Sequence, residues 1–599
     1  MAANEMARST FGGERARFPC SRLVGVIVAI VCLGLFARFH EPILSWLDAR
    51  AWRYWCLALT GLGLLVFISW FCESPARWFP GWMRSRWLFA AMLLLVLLSF
   101  RWPTITYNRQ LMDPDESQVL AGAITLTHDP VFWRSVDGTT HGPLDQYIFV
   151  IPHFLGLPID YTTGRLVTVC LNALAIIAAW LGLSTFLPER MARLSVLPAL
   201  FLYSFTSQEE DLQVGTEDLP AALVALALFL ILKAWQNRQT NRSCVKSLFF
   251  AGVILGATPF AKLQGVPPAL WLGIAALIAF SFVSGNRDGR GSNAAALVAG
   301  ALLVPLVFGS ILISTGVLGE FWEAYIINNI KYAQEKQQSS WYILSRFIKG
   351  ESIGMFHRVY FLPIISVFCC GIATLPLLMR KHAVPVLIVV GYGLASLYAV
   401  VAPGREYFHY PRIFFVAASV TAGVLASLFY MHARERGKTL AAAIFVASFA
   451  LLTLVPQFYF RLEHGGPFRG TYRAEHECKL SPTAVTILRY AGAGDALAHW
   501  GWEPKLYVQT QLRQATREAH THHQIEPGPQ QDYFRNRYMA DLRKSNPRVF
   551  VDSVGDGNFA YTDRALQGHE IFPALRELIE KRYRLVGDYE GIRVYIRND

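Results

Sequence analysis

About thirteen apolar segments of helix length run through this chain, and no other feature constrains its fold as tightly. They fall at 22–38, 54–72, 87–101, 162–187, 193–207, 217–235, 247–263, 266–284, 294–314, 359–379, 384–402, 411–431 and 439–458. A helix needs roughly 20 apolar residues to cross the hydrocarbon core of a bilayer, so these segments predict an all-α polytopic membrane protein. Composition agrees, with 53% hydrophobic and only 16% charged residues and a mean hydropathy of +0.32. In a soluble chain the net charge of +12 would suggest nucleic acid. Here the basic residues crowd into short loops between apolar runs, where they set topology instead, and no nucleic-acid partner is expected.

With the N-terminus inside, the loops 73–86, 188–193, 233–246, 284–293, 380–382 and 432–438 all lie on the cytoplasmic side. In each of them Lys and Arg outnumber Asp and Glu, as the positive-inside rule requires. The loops 102–161, 204–217, 262–266, 315–358 and 403–410 then share the opposite face, and an odd number of spans exports the C-terminal region. Arg8, Arg15, Arg17 and Arg22 precede Leu23–Phe36 without a small-residue cleavage site, so this stretch reads as an uncleaved first helix. Of the nine cysteines only Cys478 lies in the polar tail, which leaves that tail without an internal disulfide. The expected division is an N-terminal segment of two helices (1–86), a transmembrane module (87–458) and an extracytoplasmic α/β domain (459–599). In the last, Asp495–Trp500, Arg548–Asp552, Tyr583–Val586 and Gly591–Ile596 read as strands, and Phe572–Arg582 as an amphipathic helix.

The exported loops hold the chemistry. Asp113-Pro114-Asp115-Glu116 follows the span that ends near Arg101, and carboxylates beside a bilayer are costly unless they face water, an ion or a ligand. The bland reading makes Asp115 and Glu116 favourable charges at the start of a helix near Ser117. Asp129-Pro130, Asp137-Gly138 and Gly142-Pro143 are turn signals, so the 102–161 loop is compact. Lys262 either acts in the site or snorkels to the interface. Arg405, His409 and Arg412, within Pro403–Arg412, either act there or anchor an aromatic belt. His520-Thr521-His522-His523 lacks partner ligands at metal-site spacing and is expected in a solvated loop. Trp500, Trp502, Arg517, Tyr533 and Arg535 read as domain-core aromatics and their neighbours, or as a sugar or acceptor surface. There is no Walker or dinucleotide-type glycine loop, which argues against a nucleotide-linked donor.

Pro114-Asp115-Glu116-Ser117, placed after a span and before Thr140-His141-Gly142-Pro143-Leu144, resembles the first periplasmic loop of GT-C glycosyltransferases. The likeness is to the protein O-mannosyltransferase and aminoarabinose (lipid A) transferase families and covers about residues 87–430. Thr216–Pro220, Pro259–Gly265, Phe321–Tyr325 and Asn328-Asn329 resemble later segments of the same fold. The resemblance implies a GT-C bundle of about 13 helices that transfers a sugar from a polyprenyl-phosphate donor at the inner membrane to a periplasmic acceptor: a protein hydroxyl, lipid A or a glycan. It implies Asp115 as the general base and Glu116 as an organiser of the site, with inversion at the anomeric carbon by single displacement. Fixed cations would stabilise the leaving phosphate, with Lys262, Arg405, His409 and Arg412 as candidates, His141 as a further phosphate contact, and Asp218 as a supporting acid or helix cap.

Two departures bear on metal. The aminoarabinose transferases carry Glu-Lys-Pro-Pro where this chain has Thr140-His141-Gly142-Pro143, and a His where it has Asn329. No cofactor is therefore certain and a divalent metal ion is left open. An O-antigen-type polymerase or ligase would rely on Arg- and His-rich loops instead. A transporter would show charges within its spans and inverted repeats.

Overall fold

The computed structural model describes residues 49–73, 80–111, 114–206, 208–283, 289–335, 338–349, 360–361, 363–367, 382–438, scattered positions between 440 and 457, and 480–598. The expected span at 22–38, and most of those at 359–379 and 439–458, fall outside these residues, as do Met112 and Asp113.

The apolar runs become helices α1 (Ala49–Phe71), α2 (Arg86–Ile105), α5 (Tyr161–Leu183), α6 (Glu189–Phe205), α7 (Asp218–Gln239), α8 (Val245–Ala257), α9 (Val266–Ser281), α10 (Arg290–Ser314), α11 (Ala383–Val401) and α12 (Arg412–Glu435). Two helices of the first exported loop, α3 (Asp115–His128) and α4 (Leu144–Phe154), intervene. Among the described residues seven helices are long and apolar enough to cross a membrane, and α1 and α8 contribute shorter apolar stretches. The segment expected at 193–207 forms a helix of 17 residues. Local signals explain several starts. Ser85 caps α2 by accepting from the Leu88 amide at 3.4 Å, and Asp160 caps α5 by accepting from Thr163 at 2.8 Å.

Between apolar helices in lipid, close approach rather than hydrophobicity drives association. Helices α8 and α10 show this at Gly252, Gly256 and Gly300. An added Cβ would sit 2.2 Å from the Leu297 carbonyl oxygen, 2.2 Å from that of Ala301 and 2.1 Å from that of Phe249, respectively.

Residues 480–598 form a five-stranded sheet of order β2-β1-β3-β5-β4, where β1 is Ala496–Trp500, β2 Arg513–Gln514, β3 Val549–Asp552, β4 Tyr583–Tyr589 and β5 Ile592–Arg597. Strand β1 runs parallel to β2 and β3, while β5 is antiparallel to β3 and β4. The four expected strands are present. Strand β2, of two residues, is too short to leave a periodic trace. Helices α13 (Pro482–Tyr490), α14 (Lys505–Thr510), α15 (Gln531–Ser545) and α16 (Pro573–Arg582) complete this unit. It shares core with the first exported loop: Ala121 of α3 is fully buried in a cluster with Leu497, Leu506, Tyr507 and Val549. The Gln514 amide also donates to Thr125 Oγ1 of α3 at 3.0 Å.

His520 departs from expectation. Instead of lying in a solvated loop it is buried, with its ring stacked on Trp502 at 4.2 Å. Trp500 is buried in the sheet core.

Candidate active site

The ends of α2, α5, α6, α7, α11 and α12 that face the first exported loop gather the charged groups. The acidic pair occupies the first turn of α3, and the N-cap, Pro114, offers no side-chain cap. Asp115 is half-buried. Glu116 is fully buried and pairs with Arg165 of α5, whose Nε and Nη2 donate to the two carboxylate oxygens at 2.8 and 2.7 Å. The Val214 amide adds a third hydrogen bond at 3.0 Å. Arg165 also donates to the carbonyls of Thr104, Tyr107 and Arg109. Glu116 therefore ties the end of α2, the start of the loop, α5 and the 213–215 turn together, and it takes no part in an open cleft.

A second carboxylate pair divides in the same way. Arg412, fully buried, donates to Asp218 at 2.5 Å and to the carbonyls of Glu210 and Gln213. Its neighbour Glu217 instead accepts from Lys262, whose Nζ also donates to Thr216 Oγ1 at 2.6 Å and lies 5.6 Å from the Tyr410 ring. His409 lies 4.0 Å from Glu217 and 3.8 Å from Glu210. Burial opposes the Glu217 charge, but Lys262 and His409 outweigh it and hold the carboxyl down at about 2. Burial likewise disfavours the His409 cation. Glu217 and Glu210, with Asp115 near enough to contribute, overcome this and raise its pKa above 6.5. The result is a cluster in which Asp115, Glu217 and Lys262 all act on the charge of His409.

Arg405 borders this cluster. Its guanidinium lies 3.9 Å from the Tyr332 ring, and Tyr332 shares a 2.8 Å hydrogen bond with Tyr410. His141 joins through its backbone, forming an antiparallel bridge with Lys262. The adjacent Gly142 amide donates to the Ala261 carbonyl at 2.6 Å, and a Cβ at Gly142 would come within 2.3 Å of the Phe260 carbonyl oxygen. Only glycine permits that approach. The His141 imidazole sits 3.0 Å from Gln146 Nε2, and burial together with Lys262 lowers its pKa to about 3, so it is neutral. Beside this group burial raises the Asp145 carboxyl well above its ordinary range.

The structure thus brings Asp115, His141, Lys262, Arg405 and His409 to one place, and sets Glu116 and the Asp218–Arg412 pair behind it as supports. Sequence reasoning missed Glu217, Glu210, Asp145 and Arg165. Arg165 left a signal, because it is the one charged residue inside the 162–187 segment and such a charge demands a partner.

Of the two positions tied to a metal by the resemblance, Thr140 supplies a hydroxyl and Asn329 an amide. The Asn329 amide is engaged with the carbonyls of Tyr325 at 2.8 Å and Thr139 at 3.5 Å. These neutral groups do not fit a divalent ion. Among the described residues one group has metal-like spacing, Asp552, His569 and Glu570 in the C-terminal unit. It is already an ion-pair network, with His569 Nδ1 2.5 Å from Asp552 and Arg593 3.1 Å from Glu570.

No family model matches the chain, and no curated protein matches it in sequence. Solved structures do. ArnT from Cupriavidus metallidurans bound to undecaprenyl phosphate aligns over 86% of this chain and 98% of its own, at 13% identity and a TM-score of 0.52. Its apo state aligns equally well, with a TM-score of 0.52. The Archaeoglobus fulgidus oligosaccharyltransferase aligns over 79% of this chain at 11% identity, with a TM-score of 0.42. The likeness to ArnT and the apolar helices together make this chain a multi-pass membrane protein with the GT-C fold, as the first-loop motifs implied.

Proposed function

We propose that the protein is an inverting membrane glycosyltransferase that moves a sugar from a polyprenyl-phosphate donor to an extracytoplasmic acceptor. The observation that carries this reading is the convergence of one half-exposed carboxylate, Asp115, with the cations Lys262 and His409 at one end of the spanning helices. A lipid-borne donor can be cleaved only at the membrane interface, where this cluster would lie. Asp115 takes the acceptor's proton as its oxygen attacks the anomeric carbon, the bond to the phosphate breaks, and the departing phosphate keeps the electron pair. Lys262, His409 and Arg405 meet its charge, and fixed cations in a site poor in water act strongly there. Lys262 has three donor protons, of which two are used on Glu217 and Thr216. That ArnT was crystallised bound to undecaprenyl phosphate supports a donor of this class. The basic inner loops support an active site on the periplasmic face.

The test is mass spectrometry of lipids, lipopolysaccharide and periplasmic proteins from cells with and without the gene. A glycosylated species that disappears with the gene, and returns with it, identifies the acceptor; identical glycan profiles overturn the reading. A pH profile adds a finer check. His409 is protonated below its raised pKa, so a phosphate contact that needs the cation persists through pH 6.5 and fails as pH rises beyond the raised value. We expect kcat/KM to fall on that alkaline side, and His409→Gln to remove this limb while lowering the plateau. An unchanged limb in the variant excludes His409 from the phosphate site.

A further inference from the structure

The turn that docks Lys262 is held from the C-terminal unit. Thr139 sits at a φ of 59°, in the left-handed region, which is costly for a β-branched residue and persists only where its surroundings enforce it. Asp137 enforces it locally, since its Oδ1 accepts from the Thr139 amide at 2.8 Å. The other oxygen of Asp137 accepts from Arg537 of α15 at 2.6 Å, in a pair whose side chains are 2% and 4% exposed. The Asp137 amide donates to the Arg517 carbonyl at 2.7 Å. Arg537 in turn lies between Glu518 at 3.3 Å and Glu320 at 3.4 Å. On its other side the turn reaches the site. Thr139 Oγ1 accepts from Gln118 of α3, one helical turn after Asp115, and two residues beyond Thr139 the His141 backbone pairs with Lys262.

We propose that Arg537 is a positioning residue for sugar transfer: by clamping Asp137 it holds the left-handed Thr139 turn, whose backbone carries His141 into its bridge with Lys262. This rests on the transfer reading above. The C-terminal unit is then part of the catalytic apparatus rather than an appendage, because the ion pair that shapes the site spans 400 residues of sequence.

The test uses the full-length protein with Arg537→Gln, Arg537→Lys, Thr139→Gly and the double variant Arg537→Gln/Thr139→Gly. Displacing a catalytic group by about 1 Å can cost about a hundredfold, so Arg537→Gln is expected to lower kcat/KM for the donor by about 10- to 100-fold, and Arg537→Lys by less. Glycine adopts the left-handed conformation freely, so Thr139→Gly in the Arg537→Gln background should restore at least about threefold. A residue that only stabilised the C-terminal unit would show no such rescue. Activity of Arg537→Gln within about twofold of the parent, or a folded double variant no better than the single one, overturns the proposal. Should Arg537→Gln fail to fold, the Arg537→Lys and Thr139→Gly pair carries the same comparison. A second readout needs no catalysis: thiol labelling of a Thr140→Cys variant should quicken when Arg537→Gln is added and slow again with Thr139→Gly. If no donor yields transfer, the transfer reading fails, and this labelling still decides the clamp; labelling insensitive to Arg537 overturns it.

Discussion

Asp115→Asn is expected to abolish sugar transfer while leaving the protein folded and inserted. A positioned general base contributes about 10²- to 10⁴-fold to rate, and each tenfold corresponds to about 1.36 kcal/mol of barrier. The amide is nearly isosteric with the carboxylate but cannot accept the acceptor's proton. The fold should tolerate the change because Asp115 is half-exposed in the first turn of α3. At that position a lost charge costs about 0.3–1 kcal/mol of helix-dipole stabilisation. The comparison to make is single-turnover transfer by the purified variant and parent at equal folded concentration. Transfer within about tenfold of the parent would remove Asp115 from the base role, since that lies below what general-base catalysis supplies.

Arg165→Met is expected to have the opposite profile, a loss of the protein rather than of one step. It strands the fully buried Glu116 without its cation and frees the carbonyls of Thr104, Tyr107 and Arg109. Removing one partner of a buried ion pair costs about 3–5 kcal/mol, a large share of the ~5–15 kcal/mol that holds a typical domain together. Yield in detergent and thermal unfolding report the loss. Adding Glu116→Leu removes the stranded charge and should recover part of the stability, though not all, because the three carbonyls stay unpaired. If Arg165→Met unfolds at the parent's temperature, the pair is not a structural tie. The contrast between neighbouring residues is instructive: Asp115 and Glu116 are adjacent carboxylates, and one is expected to be needed for chemistry while the other is needed for the fold.

That division shows where reading the sequence stops. Hydrophobic length and the basic loops located the helices among the described residues, and the same loop asymmetry grouped every candidate residue on one face. These are local properties: a run of about 20 apolar residues has few places to go, and Lys and Arg in short loops bias the side. Four strands and the helix near 573–582 were legible for the same reason, since their periodicity is carried within each segment. The first-loop motif carried the fold as well, at 13% identity to the solved structure that shares it.

The partner of each charge was not legible. Consecutive residues on a helix point about 100° apart, so Asp115 and Glu116, or Glu217 and Asp218, face different neighbours although they adjoin in sequence. Which neighbour each one meets depends on helices brought together from afar: Glu116 finds Arg165 49 residues on, and Asp218 finds Arg412 194 residues on. The Thr216-Glu217-Asp218 motif did not show how its two carboxylates divide: Asp218 is a buried support paired with Arg412, and Glu217 is the one beside Lys262 and His409. Asp137 and Arg537 left no trace at all, because an ion pair between a loop and a distant helix has no period and no motif. Read alone, the chain placed the long apolar helices among the described residues and pointed to the fold they share, because both are carried by local runs and motifs. Which carboxylates are buried in ion pairs, Glu116 with Arg165 and Asp218 with Arg412, came from the packed helices, since burial and pairing are properties of several segments brought together rather than of any one of them.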